Sequence, residues 1–555
     1  MKTTTFKVFS LFTLIGLLVS GCGGLGKMEK HIEELGAKVE PEPLIVRGDS
    51  VEINVSGIFP PKYFHKKVVV EATPVLVHGG SETAFDQTGF QGEDAAGNYE
   101  VIPYEAGKSF NHTDKIAYDA SMANTSSLEL RISGTKGNAS ETFDPLVIGT
   151  GVITTPYLMQ SDDKFIMSTD KFQRILNKTM EATINYAYNS SNVTSGELRD
   201  EDIDAMKDFI KLAASKDSLT FTGTAVEAYA SPEGEITLNE NLADERAESA
   251  NAVVAAEMKR QKISPENPEA FFGNDPKGED WEGFKDLMSQ SSIADKELIL
   301  RVLEMYSDKN KREQEIKNIA KTYKEIEKEI LPALRRSQID LNYDVVGYSD
   351  AQLKDLSVNN PDILTVEELL YAATLTDDIN QQLSMYKAAE RNYPADYRAI
   401  NNVGVIYMVQ NKINDAASQF EKAVEAENNP VTLNNLGAVA RLKGDRELAL
   451  ERYAEAAGAG PEVSYNKGLV HIQNGDYSSA VSSMSGNNTF NMALAKMLNG
   501  DTTGAKTTMD NSGDESAHAY YLRAVIAARM NNSADVLSNL GSAVGKDGTL
   551  GAKAK

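Results

Sequence analysis

The sequence predicts a multidomain chain: an N-terminal all-β sandwich, a central α/β domain and a C-terminal α-helical solenoid. Three observations carry that reading. Apolar and polar residues alternate with period two before residue 165, strands and amphipathic helices take turns between 175 and 350, and a pattern of small and aromatic residues repeats after 364, its two clearest copies offset by 33 residues. Period two marks a half-buried strand, and period 3.6 a helix with one buried face. At 555 residues the chain has the length of three or four domains.

The chain opens with Lys2 and Lys7, an apolar run from Val8 to Val19, and then Ser20, Gly21 and Cys22. A basic start, a short apolar core and small residues before a cut define a secretory signal. The run is too short for a retained spanning helix. The stretch Val19-Ser20-Gly21-Cys22 resembles the lipobox of bacterial lipoproteins. That resemblance implies a signal peptide over 1–21, acylation of Cys22, the only cysteine in the chain, and a flexible tether over 22–36. No acidic residue directly follows Cys22. The expected site is therefore the outer membrane, with the body in the periplasm.

Lys and Arg number 56 against 81 Asp and Glu, a net charge of −25; removing 1–21 takes away Lys2 and Lys7 and leaves −27. A body this acidic repels nucleic acid and anionic lipid, which excludes both as partners of its surface. With no second cysteine, each domain is held by its core alone.

Residues 37–165 read as the sandwich. Val51, Ile53 and Val55 alternate with Glu52, Asn54 and Ser56, and Leu128, Leu130 and Ile132 with Glu129 and Arg131. Pro60-Pro61, Gly79-Gly80, Gly97, Gly134 and Gly137 punctuate the strands. Gly149-Thr150-Gly151 is not followed by a helix start, so it is not a phosphate loop.

In the middle, Ile184, Tyr186 and Tyr188 alternate as a strand, Ile203, Met206, Phe209, Ile210 and Ala213 share a helix face, and Leu219–Ala230 forms a second strand with a bulge near Gly223. A helix bearing Ala243, Ala247, Ala250 and Val254 follows, and Ile339, Leu341, Tyr343 and Val345 mark a closing strand. The charges from Asp308 to Ile330 read as one long helix with a solvated face. Trp281 reads as a packing residue.

The second strand ends in Tyr229-Ala230-Ser231-Pro232-Glu233-Gly234, and Asn239, Leu242, Arg246 and Ala247 follow. These intervals resemble those of the C-terminal domain family of outer-membrane protein A, over 175–350, with 263–334 as a divergent insertion. The resemblance implies binding of peptidoglycan, whose diaminopimelate is zwitterionic: an Asp takes the ammonium and an Arg the carboxylate. Arg246 matches that Arg, and a guanidinium fork fits a carboxylate. Ser231 stands where the family has Asp, and Glu233 is the nearby carboxylate that can replace it. Ser231, Glu233, Asn239 and Arg246 are thus the candidate wall-binding residues.

Over 364–550, Gly404, Tyr407, Ala416, Phe420 and Ala423 recur at the same spacing as Gly437, Ala440, Ala449, Tyr453 and Ala456. Gly468, His471, Ala480 and Met484 continue the series. This resembles the tetratricopeptide repeat (TPR), whose stacked helix pairs form a solenoid with a groove. The resemblance implies a protein partner in that groove.

No Gly-x-Ser-x-Gly elbow, P-loop or metalloprotease helix is present, and none of the six histidines stands four residues from another. No cofactor, metal or enzymatic activity is expected. The sequence thus reads as an outer-membrane lipoprotein linking membrane, cell wall and an envelope complex. Two rivals keep the same modules: a pure protein–protein scaffold without wall binding, and a surface-exposed adhesion or glycan-binding lipoprotein.

Overall fold

In the computed structural model, which describes residues 24–553 apart from residue 124, the chain forms two compact units. One gathers the chain up to Ser168 with everything from Pro394 onward; the other is Thr169–Tyr393. Three modules in a line were expected. Instead the β-rich region and the repeats share one unit, and the α/β domain is inserted between its two halves in sequence. The expected signal peptide, 1–21, and Cys22 lie outside the described residues.

The expected tether, 22–36, is folded from its fourth residue. Leu25–Lys30 is a short helix whose Leu25 and Met28 are buried in the sandwich core. These two apolar residues sit three apart, on one helical face, and their burial overrides the flexibility of the flanking glycines. The opposing strand makes room: a Cβ at Gly134 would stand 2.5 Å from a Leu25 methyl.

Two sheets enclose that core. The first contains Lys38–Glu40, Leu44–Arg47, Ser50–Phe59, Lys108–Ala117 and Val152–Ile153; the second is built around Val69–His78 and Ser126–Lys136, paired antiparallel. Val51, Ile53 and Val55 face Leu128, Leu130 and Ile132 across one core, as the alternation requires. Phe59 stands 4.9–5.1 Å from the rings of Phe64, Phe90 and Phe110, which fixes one end of the sandwich. The last strand ends at Ile153 rather than at the expected 165. Beyond the turn Thr155–Leu158 the chain leaves the sheets.

The repeats of this unit are the helix pairs Tyr397–Val409 with Ile413–Ala426, Pro430–Leu442 with Arg446–Glu455, Pro461–Gln473 with Tyr477–Ser483, Phe490–Leu498 with Thr502–Ser512, and Ala517–Arg529 with Ser533–Lys546. They are successive helix pairs, each packed on the next. The recurring glycine is required by close approach: a Cβ at Gly404 would stand 2.6 Å from the Phe420 ring, and one at Gly437 2.8 Å from that of Tyr453. We expect Gly437→Ala to destabilise this unit by about 1–3 kcal/mol through overpacking, read by chemical denaturation. The pair Val366–Thr374 and Ile379–Asn392, expected as the start of the solenoid, falls in the other unit.

That unit is built on four strands in the order Ile175–Asn185, Arg336–Val346, Leu219–Ala230, Phe272–Glu279; the first three are antiparallel and the last is parallel to its neighbour. The bulge falls between Phe221 and Gly223. Helices Glu201–Ala213 and Ile236–Arg260 bury Ile203, Met206, Ile210, Ala247, Ala250 and Val254 with Val226, Ala228, Ile339 and Leu341. The segment 263–334, expected as an insertion, supplies the edge strand Phe272–Glu279 and a separate small core around Trp281, Phe284 and Met288. Its charged stretch is two helices, Lys309–Lys317 and Ala320–Glu329, not one, so that both Ile316 and Ile326 reach that core. Trp281 packs there, and its indole N–H donates to Glu279 at 2.9 Å.

Candidate functional site

The four candidate residues of the α/β unit converge on one small cleft, lined by Ser231, Glu233, Asn239 and Arg246 together with Tyr188. The turn after strand Leu219–Ala230 and the first three turns of helix Ile236–Arg260 place them there. Gly234 adopts φ +98°, a conformation that favours glycine. Arg246 is 1% exposed, and its donors are taken by backbone: Nε to the Ser190 carbonyl at 3.0 Å and Nη1 to the Tyr229 carbonyl at 2.8 Å. The Tyr186 ring lies 5.1 Å from its guanidinium carbon. Burial lowers its pKa to about 10, which leaves it charged at neutral pH.

Glu233 is paired not with Arg246 but with Arg335, whose Nη2 reaches its carboxylate at 2.6 Å. Ser231 donates to the same oxygen at 2.7 Å and accepts from Arg335. Asn239 bridges the Glu233 carbonyl and Glu279. The cleft itself holds about 30 Å³, room for about two waters. A ligand ammonium would compete with Arg335 for Glu233. Sequence reasoning missed Arg335, although Arg335-Arg336 directly before a strand is conspicuous in so acidic a chain. We expect Arg246→Ala to cost about 2–4 kcal/mol, because two buried carbonyls lose their donor, read as a lower thermal midpoint.

A second constellation lies across the repeats. Residues 159–168 run extended over the first helices of four successive pairs, clasped by a ladder of asparagines. Asn491 both donates to the Gln160 carbonyl (2.8 Å) and accepts from its N–H (2.9 Å). Asn466 does the same for Lys164 (2.9 and 2.8 Å), Asn435 for Ile166 (2.8 and 2.8 Å) and Asn402 for Ser168 (2.9 and 2.8 Å). Asn401 and Asn434 add bonds to the Ile166 and Lys164 carbonyls, and Asn435 donates to Asn401 at 2.8 Å. All six asparagines are buried.

From Lys164 to Ser168, each repeat takes one residue and skips the next. Successive residues of an extended chain face opposite ways, so one set of backbone groups points at the ladder.

The skipped positions are read by side chains. Arg441 grips Asp163 through Nε (2.6 Å) and Nη2, with the two side chains 1% and 2% exposed. Phe165 stacks on Phe420 at 6.0 Å and 12°. Asp162, also held by Asn491, accepts from the Tyr465 hydroxyl at 2.7 Å. Leu158 and Met159 pack against the apolar cluster around Phe490, Leu494 and Leu522. The groove in which the sequence leads one to expect a partner is thus filled by the chain's own strap.

The ladder was legible. Asn402, Asn435 and Asn466 each stand two residues before the repeat glycine, Gly404, Gly437 and Gly468, and Asn491 stands two before Ala493. The fifth pair has Leu522 at that position, and there the ladder ends.

No family model matches the chain. It is 25% identical over 162 residues to the BBSome complex member BBS4 of Bos taurus, which is 29% of this chain and 30% of that protein; the chain thus spans about a third of the length of the curated relative it matches. Solved structures with some likeness include a tetratricopeptide repeat protein from Parabacteroides merdae (13% identity, TM-score 0.29, 36% of this chain and 85% of that one). Pseudomonas aeruginosa PilF (18%, 0.28, 34% and 90%) and YrrB, titled a TPR protein with an unusual peptide-binding site (19%, 0.22, 36% and 94%), are two others.

Proposed function

We propose that this chain is a protein-interaction scaffold of the bacterial envelope, and that its repeats act by gripping extended backbone. The single observation behind this is the asparagine ladder, which holds alternate residues of a chain by their main-chain groups and so accommodates many sequences.

Anchoring by acylated Cys22 at the outer membrane rests on the Val19–Cys22 motif and the basic, apolar leader. In that arrangement the body stands close to the bilayer, because the helix Leu25–Lys30 starts three residues past the lipid. Contact with peptidoglycan is favoured by the convergence of Ser231, Glu233, Asn239 and Arg246 on one cleft. Glu233→Gln, which keeps shape and removes charge, would then reduce co-sedimentation with cell-wall sacculi; unchanged sedimentation removes the wall from the account.

The scaffold reading is tested by affinity capture from native membranes, comparing the full chain with an Asn402→Ala, Asn435→Ala, Asn466→Ala variant shown to be folded. The expected result is loss of specific proteins from the variant's capture. Identical captured sets would overturn the groove as the partner surface.

A further inference from the structure

The strap is a resident occupant, and its contacts define what can replace it. The ladder contributes grip with little selectivity, since apart from Asn491 to the Asp162 carboxylate and Asn401 to the Ser168 hydroxyl it touches only main-chain N–H and C=O. Selectivity lies in three places. Arg441 is enclosed with Asp163 in a buried, two-point pair, so an occupant without a carboxylate there leaves a charge without its counter-ion. Phe420 offers a flat ring on which Phe165 lies nearly parallel. Tyr465 adds a hydroxyl that donates to Asp162, and burial raises its pKa so that the proton stays on. Chain direction is fixed as well: Gln160 lies on the fourth pair and Ser168 on the first.

Resting on the groove reading above, we infer that the trans partner is an extended segment of another protein with two adjacent carboxylates and an aromatic ring two residues beyond the second. It enters by displacing the strap. The resting groove is accordingly closed to weaker or uncharged segments, because a strap covalently tied to the same unit competes at high effective concentration.

The experiment uses the full chain and a fluorescent peptide spanning 157–169, Tyr-Leu-Met-Gln-Ser-Asp-Asp-Lys-Phe-Ile-Met-Ser-Thr. Against Asp163→Asn, whose own strap has lost the carboxylate, the peptide is expected to bind at least tenfold tighter than to the wild type. A peptide with Asn in place of Asp at the Arg441 position should lose that gain. Phe165→Ser is the second variant, should Asp163→Asn unfold, and is expected to show the same order. Equal binding of the native, Asn-bearing and scrambled peptides would leave the groove reading standing and overturn the selectivity. No binding of any peptide to either folded variant would overturn both, and would make the strap a permanent part of the fold.

Discussion

Arg441→Ala is expected to release the strap. The guanidinium and the Asp163 carboxylate are both all but fully buried, and Arg441 supplies two parallel bonds to it. Removing one member of such a pair leaves a buried charge unpaired, at a cost of about 3–5 kcal/mol. Since 1.36 kcal/mol is tenfold in an equilibrium, the strap should open about 10²- to 5 × 10³-fold more often. Lys164 lies in its middle, so trypsin cleavage after Lys164 reports that opening directly and should accelerate by the same factor when reclosing is fast. Asp163→Leu combined with Arg441→Leu should recover most of the loss, because an apolar pair replaces a buried ion pair at little net cost. Unchanged cleavage in Arg441→Ala would mean that the pair does not hold the strap.

Asn435→Leu should be nearly as damaging. It removes the N–H and C=O bonds to Ile166 and the link to Asn401. The Ile166 amide is left inside without a partner, and each such group costs about 1–3 kcal/mol. A total near 2–4 kcal/mol is expected in denaturant unfolding of the β-rich and repeat unit. The exposed pair of Arg446 with Asp49, at 2.7 Å, is the contrast: Asp49→Ala should change stability by less than about 1 kcal/mol. The difference between the two tests whether the strap, rather than surface charge, makes these segments one unit.

Much of the fold is legible from periodicity. The alternation at Val51–Val55 and Leu128–Ile132 faces one core, the bulge near Gly223 is where the register shifts, and Gly404 and Gly437 sit where aromatic rings press against the helix. What is not legible comes from long-range contacts. Leu25 and Met28 look like a linker until a strand 109 residues beyond Leu25, with Gly134 in it, leaves room for them. Residues 160–168 look like the end of a sandwich because Phe165 and Met167 alternate as in any strand; their pairing partners are side chains more than 230 residues away. The edge strand Phe272–Glu279, with Gly273, Pro276 and Gly278, lacks strand propensity altogether, and parallel pairing with Thr224–Ala230 imposes it.

The candidate sites divide the same way. Ser231, Glu233, Asn239 and Arg246 are found from spacing, but spacing does not show that Arg335, about a hundred residues downstream, takes the Glu233 carboxylate. The asparagines were visible as a repeat-spaced pair, Asn401-Asn402 and Asn434-Asn435, yet their ligand was not. A ladder of side-chain amides announces only that some backbone will lie on it.

Hydrogen exchange of the backbone amides of Lys164, Ile166 and Ser168 in the intact chain tests the central claim most directly. Each N–H is bonded to a buried asparagine carbonyl. Protection comparable to that of helix Pro430–Leu442 is the predicted result. Exchange of all three within seconds, as in a free linker, would contradict the account.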